Sequence, residues 1–251
     1  MDPGRYAAVS TLVLRIAAPL VSWPSPSRRR TRGTEQLPTY SALVGLARAA
    51  LGLPRLEPGQ SPEFDLVAAV RADQPGRALR DFHTVNPISY GSYRNLSAAD
   101  AKKAADLDAA GAGFKRGNPV VSERHFRTDS VTTVFIDDPD QRLAAAFTAP
   151  GFAIAAGRKG CPLTFPFVLG TVEADLEDAL AAVPTVGDAV RPVPAHLFQP
   201  PARLPVTRTA TKWDDPAGSV GHEYRSRPRF HTQVTPPVVS DLFALLSHFG
   251  G

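Results

Sequence analysis

Proline recurs along most of this chain, with 25 prolines among 251 residues. A proline inside a helix removes a backbone hydrogen bond and clashes with the preceding turn, so it ends or kinks the helix. The chain is therefore predicted to form short elements joined by many loops, and the prolines argue against an all-helical fold. Hydrophobic residues make up 43% of the sequence, which is enough for a buried core.

Composition excludes several classes of protein. The single cysteine, Cys161, rules out a disulfide framework and a multi-cysteine zinc site, and it fits the reducing cytoplasm that we predict as the location. The six histidines lack metal-ligand spacing, so no metal or cofactor is predicted. The apolar run at 9–21 is interrupted by Arg15 and Pro19 and is too short for a membrane span, so no membrane association is predicted.

Hydrophobic periodicity predicts alternating strands and helices. The predicted elements are strands at 9–16, 64–71, 130–136 and 152–155, a helix that Thr39 caps and Gly52 ends, and helices at 140–147 and 172–182. Two strand–helix–strand units in this order are typical of a ferredoxin-like or RRM-like domain. The predicted fold class is therefore α+β.

Two regions lie outside that core pattern. Extended segments at 79–85 and 120–127 flank a long stretch without a core face, which predicts a protruding β-hairpin thumb inserted at about 74–128. Beyond residue 184 the sequence is Pro-rich with short extended pieces and a possible final helix at 241–249. We therefore predict a first domain at 1–184 and a small β-rich C-terminal domain at 185–251.

A basic loop flanked by glycines follows the strand predicted at 152–155. The stretch 157–170 places two cations between two glycines and ends on a third glycine; these residues are Gly157, Arg158, Lys159, Gly160 and Gly170. Glycine reaches backbone conformations closed to other residues, so its amides can face an anion beside the cations. The residues alone leave two interpretations open, a polyanion-binding loop and an ordinary surface turn before a buried strand.

Cations also cluster elsewhere. The run 28–32 holds four arginines next to serine and proline, which suits either a phosphate-binding element or a solvated loop. Cations and aromatic residues interleave on both predicted thumb strands, a mix that suits base stacking and phosphate contact. These residues are Arg80, Phe82, His83, Arg124, His125, Phe126 and Arg127.

Enzyme motifs are absent: the sequence has no phosphate-binding P-loop, no zinc-protease motif and no nucleophile elbow. Cys161 has basic neighbours that favour a thiolate, but no base is near it in sequence and the following Pro and Leu indicate burial. A metal-free ribonuclease stays an alternative. His83 or His125, with Lys159 or Tyr90, could supply the base and the charge stabilisation that it needs.

Four segments resemble one known family, the CasD subunits of the subtype I-E CRISPR surveillance complex Cascade. Residues 14–23 resemble the family's LRLAGP…W start, and 38–46 resemble its PT-x-S-GL-x-GL helix. Residues 79–85 resemble LRDYHTV, and 157–170 resemble GRRSCPLTHP…LG. The segments occur in the family's order between about 12 and 180, whereas 86–118 align poorly and the C-terminal third matches mainly at 227–230.

The resemblance implies an RRM-like domain with a thumb and a small C-terminal domain that caps the 5′ handle of the CRISPR RNA. Its implied partners are this RNA, the repeated backbone subunit and the large subunit of Cascade, with target DNA reached through guide pairing. The family is structural in this subtype, which predicts no catalytic residues. A subtype I-C relative cleaves RNA, which sustains the ribonuclease alternative. A protein-only interaction module that uses the Pro-rich tail is the third hypothesis.

The predicted RNA contacts come from four places in the sequence. The basic loop contributes cations and backbone access, the start of the first helix offers a position that favours anions, and the thumb strands offer further cations. The residues are Gly157, Arg158, Lys159 and Gly160 in the loop, Thr39 and Ser41 at the helix start, Trp23 after the first strand, and Arg80, His83, Arg124 and Arg127 in the thumb.

Overall fold

The computed structural model describes residues 9–23, 30–57, 60–85, 120–215 and 225–250. In chain order the elements are β1 (Thr11–Val21), β2 (Thr31–Arg32), α1 (Tyr40–Ala50), β3 (Ala68–Gln74), β4 (Arg77–Val85), β5 (Val120–Asp137), α2 (Arg142–Thr148), β6 (Val168–Val172), α3 (Leu176–Ala182), β7 (Thr185–Val186), β8 (Val193–Leu197), β9 (Arg208–Asp215), β10 (Arg225–Val234), β11 (Val238–Val239) and α4 (Leu242–Ser247). The described helices have 6 to 11 residues, and none is long and apolar enough to cross a membrane.

A large sheet connects most of the strands. Seven of them follow in the order β6-β1-β5-β3-β8-β10-β9, while β2 and β4 pair with β5 away from this path. The described pairs along the path are antiparallel, and β2 runs parallel to β5. β7 and β11 form a separate parallel pair. A large antiparallel sheet with few helices agrees with the predicted α+β class.

The first strand is longer than predicted. β1 continues beyond residue 16 to Val21, because Ala18 and Leu20 keep their partners Ser130 and Thr128 on β5. Pro19, which lies three residues beyond the predicted end of the strand, stands between these paired positions. A proline is tolerated in a strand where its missing N–H is not needed for the ladder.

The third predicted core strand and the second thumb strand are one element. β5 runs through 18 residues, where the sequence predicted separate strands at 120–127 and 130–136. Asp129, with φ of 53°, marks a local irregularity at the predicted break, yet pairing resumes on both sides of it. A single residue in the left-handed region bends a strand without ending it.

The prediction of a strand at 152–155 was wrong. Those residues form no strand apart from a bridge between Ala155 and Pro162. The edge strand beside β1 is β6, in which Gly170 lies opposite Val13. The basic loop therefore precedes the edge strand and does not follow it. The apolar alternation at 152–155 was misread, because these residues lead into a tight turn that closes its own backbone hydrogen bonds.

Helices cover both faces of the sheet. Alternate residues of β1 point to opposite faces, as strand geometry requires: Leu12 and Leu14 join a core cluster with α1 and α2, whereas Val13 joins a second cluster with α3 and α4. On the second face Arg71 is fully buried. Its guanidinium donates to Asp73 at 2.6 Å and to the carbonyls of Leu180 and Val183 at the end of α3. This side chain supplies the positive charge that the end of a helix favours.

The chain divides into two compact units. One contains the described residues of 1–25, 34–79 and 126–251, and the other contains those of 26–33 and 80–125. Within the first unit, β8 pairs with β3, with Leu197 opposite Ala69, so strands from beyond residue 184 continue the large sheet. In the second unit β2 lies along β5, with Thr31 and Arg32 opposite Glu123 and Arg124.

Candidate functional site

The basic loop is anchored at Gly157 against the end of β1. Gly157 has φ of +88°, a conformation that side-chain-bearing residues rarely adopt, and a Cβ atom there would lie 1.9 Å from the carbonyl oxygen of Ser22. Its N–H donates to the carbonyl of Ala155. Gly160 is different, because nothing lies within 4 Å of the position that its Cβ would take. The predicted need for glycine therefore holds at Gly157 and has no steric basis at Gly160.

Backbone hydrogen bonds close the turn that carries the two cations. The N–H of Ala156 donates to the carbonyl of Cys161 at 2.7 Å, and the N–H of Cys161 donates to the carbonyl of Arg158 at 2.8 Å. The side chain of Cys161 is 1% exposed. Burial raises the pKa of its thiol, and the nearby Arg158 guanidinium offsets this only in part. Cys161 therefore anchors the turn and is not an activated thiolate.

The two cations of the loop differ in their surroundings. The guanidinium carbon of Arg158 lies 4.7 Å from the centre of the Phe126 ring on β5, and the side chain is half-buried. Lys159 is exposed. A guanidinium over an aromatic face is held by a cation–π contact and needs little further ordering to donate hydrogen bonds. The loop thus combines a cation held against an aromatic ring with an exposed one at the surface.

The segment after the turn runs beside β1. Both the N–H and the hydroxyl of Thr164 donate to the carbonyl of Ala17 at 2.8 Å, and the N–H of Arg15 donates to the carbonyl of Phe167. This segment leads directly into β6. The basic turn is therefore tied on both sides to β1, through Ser22 at one end and Ala17 at the other.

The start of α1 is already occupied by a carboxylate of the protein. Thr39 caps the helix as predicted, with its hydroxyl oxygen accepting from the N–H of Ala42, and it is 2% exposed. The N–H of Tyr40 donates to the carboxylate of Asp214 at 3.1 Å. Ser41 is half-buried and its hydroxyl lies 3.1 Å from that of Thr39. The anion that a helix start favours is therefore Asp214, which sequence reasoning did not identify.

Asp214 belongs to an ion-pair network on β9 and β10. Arg229, which is 2% exposed, donates to Asp214 at 2.7 Å and lies 3.8 Å from the carboxylate of Glu35. Lys212 pairs with Glu35 at 3.3 Å. The guanidinium carbon of Arg227 lies 3.8 Å from the centre of the Tyr40 ring on α1. The sequence carried one signal for this network, the alternation of Arg227 and Arg229 along a strand, since alternate strand residues share a face.

Trp23 lies in the core and not on the surface. Its side chain is 1% exposed, and its backbone pairs with Glu35 in an isolated bridge. The hydroxyl oxygen of Thr34 accepts a hydrogen bond from the backbone N–H of Trp23 at 2.8 Å. The tryptophan therefore fixes the chain that leaves β1, next to the point where Gly157 packs. A stacking role of this ring with RNA has no support in its position.

The thumb candidates are distributed between the two units. In the smaller unit the guanidinium carbon of Arg80 lies 5.0 Å from the centre of the exposed Phe82 ring. His83 and Arg124 are half-buried there. In the larger unit Arg127 donates to the carbonyls of Pro75 and Gly76, which closes the turn between β3 and β4. Arg80 and Phe82 thus offer a cation beside an open aromatic face, whereas Arg127 has a structural role.

Some predicted elements fall outside the described residues. These are Arg28 and Arg29 of the arginine run, Tyr90, and the thumb tip at 86–118. Arg30 precedes β2, and its carbonyl accepts from the N–H of Glu123. Among the residues that the structure describes, no group of three or more histidines, cysteines and acids could hold a metal ion.

The comparisons with known proteins agree with one another. A family model described as "CRISPR-associated protein (Cas_Cas5)" matches residues 11–232. The chain is 31% identical over 195 residues to the Escherichia coli (strain K12) "CRISPR system Cascade subunit CasD", covering 71% of this chain and 79% of that protein. Two solved structures match in fold. A "CRISPR RNA-guided surveillance complex" chain has a TM-score of 0.68 and 23% identity, covering 95% of this chain and 98% of that one. A "Crystal structure of Cas protein" has a TM-score of 0.54 and 24% identity, covering 90% and 95%.

Proposed function

This chain belongs to the Cas5 family of CRISPR-associated proteins, and we propose that it is a non-catalytic, RNA-binding subunit of a CRISPR surveillance complex. In this role it caps the 5′ handle of the CRISPR RNA in the cytoplasm. The observation that carries the proposal is the fixed cation Arg158, stacked on Phe126 beside the exposed Lys159 in the loop that resembles the family motif.

The topology supports the finer fold that the sequence predicts. Helix α1 connects β1 with β3, α2 connects β5 with β6, and these four strands follow in the order β6-β1-β5-β3. We propose that they form the ferredoxin-like core of an RRM-like domain, and that β4 with the first half of β5 forms the thumb. We also propose that 185–251 form a small, β-rich C-terminal domain.

RNA contacts are proposed on two surfaces. In the larger unit Arg158 and Lys159 contact phosphates of the handle, because a guanidinium and an ammonium next to an open backbone turn suit a polyanion. In the smaller unit Arg80, His83 and Arg124 contact the RNA, with Phe82 open to stacking. Ser41 is retained as a candidate, whereas Thr39, Trp23 and Arg127 support the surfaces through their structural contacts.

The loop is tested by the double substitution Arg158→Ala with Lys159→Ala. We expect weaker binding of a handle-containing RNA and a smaller slope of log K against log salt, by about 1.4 for two lost phosphate contacts at about 0.7 each. Arg55→Ala with Arg142→Ala is the matched control, since both arginines are exposed and the total charge lost is the same. An affinity and slope unchanged by the loop variant, or changed equally by the control, would remove the loop from the proposal.

The assembly is tested by co-expression with the neighbouring genes and a CRISPR array. We expect intact RNA of handle-plus-guide length to co-purify with this chain, the repeated backbone subunit and the large subunit. Target DNA is expected to associate only through the guide. Cleavage of the repeat RNA by the purified chain without metal, lost in His83→Ala or His125→Ala, would instead favour the ribonuclease hypothesis. Purified complexes free of RNA would favour the protein-only module.

A further inference from the structure

Three basic side chains lie in a row across three neighbouring strands of the larger unit. The register places His196 of β8 opposite His231 of β10, and His231 opposite Arg208 of β9. Directly opposed residues project from the same face of a sheet, with strands about 4.8 Å apart. The row His196–His231–Arg208, called the basic row below, is therefore set by backbone pairing.

Close contacts fix the central imidazole of the basic row. The rings of His196 and His231 meet edge to face with centroids 4.1 Å apart. The guanidinium of Arg208 lies 3.3 Å from Nε2 of His231, which accepts a hydrogen bond when the ring is neutral. Arg208 is exposed and His231 is half-buried, so an approaching ligand meets the outer edge of the row.

Positive charge exceeds negative charge at this place. The neighbouring cations Lys212 and Arg229 are paired with Glu35 and Asp214. Arg208, in contrast, has no carboxylate within ion-pair distance among the residues described. The cations Arg208, Arg229 and Lys212 add to burial in lowering the pKa of His231. The pKa of His196 is lowered to about 3, first by burial and then by His231 and the same three cations.

We propose that Arg208 and His231 bind a phosphate of a nucleic-acid strand, with His196 as a positioning residue that holds the His231 ring. A guanidinium and an imidazolium together supply charge-assisted donors to one phosphate. The two groups already lie side by side, and protonation of the neutral His231 ring turns Nε2 from an acceptor facing Arg208 into a second donor for the phosphate.

A chain of contacts links the basic row to the proposed RNA-binding loop, which favours nucleic acid over an acidic protein. Gly157 of the basic loop packs against Ser22, the next residue Trp23 bridges to Glu35, and Glu35 pairs with Lys212. Lys212 lies on the same strand as Arg208, four residues later and therefore on the same face. The source of the phosphate rests on the proposed function, whereas the anion site itself does not.

Phosphate binding should depend on pH in a defined direction. In the free protein the pKa of His231 is below its usual 6.5, and a bound anion beside the ring raises it. Binding therefore takes up a proton, and the affinity rises as the pH falls through the pKa that the ring has in the complex. The charged and titratable groups around the ring are His196 on β8, Arg229 on β10, Arg208 and Lys212 on β9, and the carboxylates Glu35 and Asp214 that pair with Arg229.

The first experiment titrates the whole chain with inorganic phosphate while the imidazole signals of His231 and His196 are followed by NMR. We expect saturable shifts at His231 and about tenfold weaker binding in Arg208→Ala, as expected for one lost charged hydrogen bond. Phosphate itself titrates between pH 7.5 and pH 5.5, so the change in affinity between these pH values is compared with that of His231→Gln, followed at His196, and we expect the unchanged chain to gain affinity relative to that variant. Arg142→Ala, an exposed arginine on α2, is the charge-matched control. Shifts that do not saturate, or equal losses in both variants, would overturn the site.

The positioning role of His196 has its own variants. His196→Phe keeps an aromatic edge against His231 and removes a titrating group, so phosphate affinity and its pH dependence should be retained. His196→Ala removes the ring contact, so both the phosphate affinity and its pH dependence should be reduced. The comparison holds if His196→Ala melts at the same temperature as the control Arg142→Ala. Equal behaviour of the Phe and Ala variants would assign His196 no positioning role.

The second experiment asks where the phosphate comes from. With a handle-containing single-stranded RNA, Arg208→Ala should reduce the salt slope by about 0.7. If RNA binding is unaffected while inorganic phosphate still binds at His231, the nucleic-acid source is wrong and another phosphate-bearing ligand uses the site. The loop variant Arg158→Ala with Lys159→Ala should retain the His231 response to phosphate, so failure of the loop and failure of the basic row are separately visible.

Discussion

At the scale of single residues, two glycines with similar sequence surroundings have different roles. Gly157 and Gly160 flank the same two cations, yet Gly157 has a positive φ and abuts the backbone of Ser22, while Gly160 faces open space. The sequence shows the two glycines as equivalent because it does not contain the position of β1. The loop therefore depends on one glycine for its shape.

Replacing Gly157 by alanine should destabilise the fold by about 3 kcal/mol, combining strain at positive φ with overpacking against Ser22. Gly160→Ala should change the free energy of unfolding by less than about 0.5 kcal/mol, since its Cβ meets nothing within 4 Å. Urea denaturation of both variants measures the difference. Equal stability of the two variants would contradict the close packing at Gly157.

Asp214 is a second residue whose role depends on its contacts. It accepts from Tyr40 at the start of α1 and from Arg229, a side chain that is 2% exposed. Asp214→Ala should cost about 3 to 5 kcal/mol, because it leaves a buried guanidinium without its anion.

The control for this prediction is Asp178→Ala, which removes an exposed pair with Arg203 and should cost less than about 1 kcal/mol. Chemical denaturation compares the two. A small loss of stability in Asp214→Ala would indicate that Glu35 alone balances the charge of Arg229.

At the scale of elements, strand pairing brings together groups that are far apart in the sequence. His196 and His231 come from different strands, and their rings touch because β8 and β10 pair in one register. The fold accommodates this pair when both imidazoles are neutral. Protonation of His196 is disfavoured, because the ring is buried next to His231 and near the cations Arg229, Arg208 and Lys212.

Stability should therefore fall with pH in the acid range. The folded pKa of His196 is about 3, below its unfolded value of about 6.5, so its contribution is complete above 6.5 and is lost as the pH falls toward 3. His196→Phe, which cannot titrate, should show a flatter profile of melting temperature between pH 7 and pH 4. Profiles of identical slope would contradict the burial of a neutral imidazole.

At the scale of the whole molecule, strands from beyond residue 184 continue the large sheet through the pairing of β8 with β3. The core cluster on the α3 face takes Val193, Leu197 and Val234 from this region together with Val13 and Phe135 from earlier strands. The boundary predicted at 184 therefore divides a shared sheet and a shared core cluster, and a truncation tests whether the first region folds without the second.

A chain that ends at residue 184 should unfold or aggregate, because it exposes the edge of β3 and removes five buried members of a core cluster, Val193, Ala195, Leu197, Val234 and Leu245. Soluble expression and a cooperative thermal transition of the truncated chain would show that the first region folds without the second. A chain that ends at residue 240, which lacks α4 with its cap and the residues after it, is the milder comparison, since it removes Leu245 and the partly buried Leu242, Leu246 and Phe249 from the same cluster.

The sequence by itself determined the elements whose signals are local. Thr39 caps α1 as predicted because a hydroxyl before an apolar repeat acts on amides three residues away, and the family was identified from motifs that are contiguous in the chain. The glycine-flanked cations and the burial of Cys161 were likewise visible, since prolines and apolar residues surround the thiol.

Tertiary structure alone decided what depends on distant partners. The edge strand is 168–172 and not 152–155 because its partner is β1, and the anion at the start of α1 is Asp214, which is 174 residues from Tyr40. The basic row arises from the register of three strands. Pairing register and ion-pair choice are set by the free energy of the assembled sheet, so local sequence patterns do not specify them.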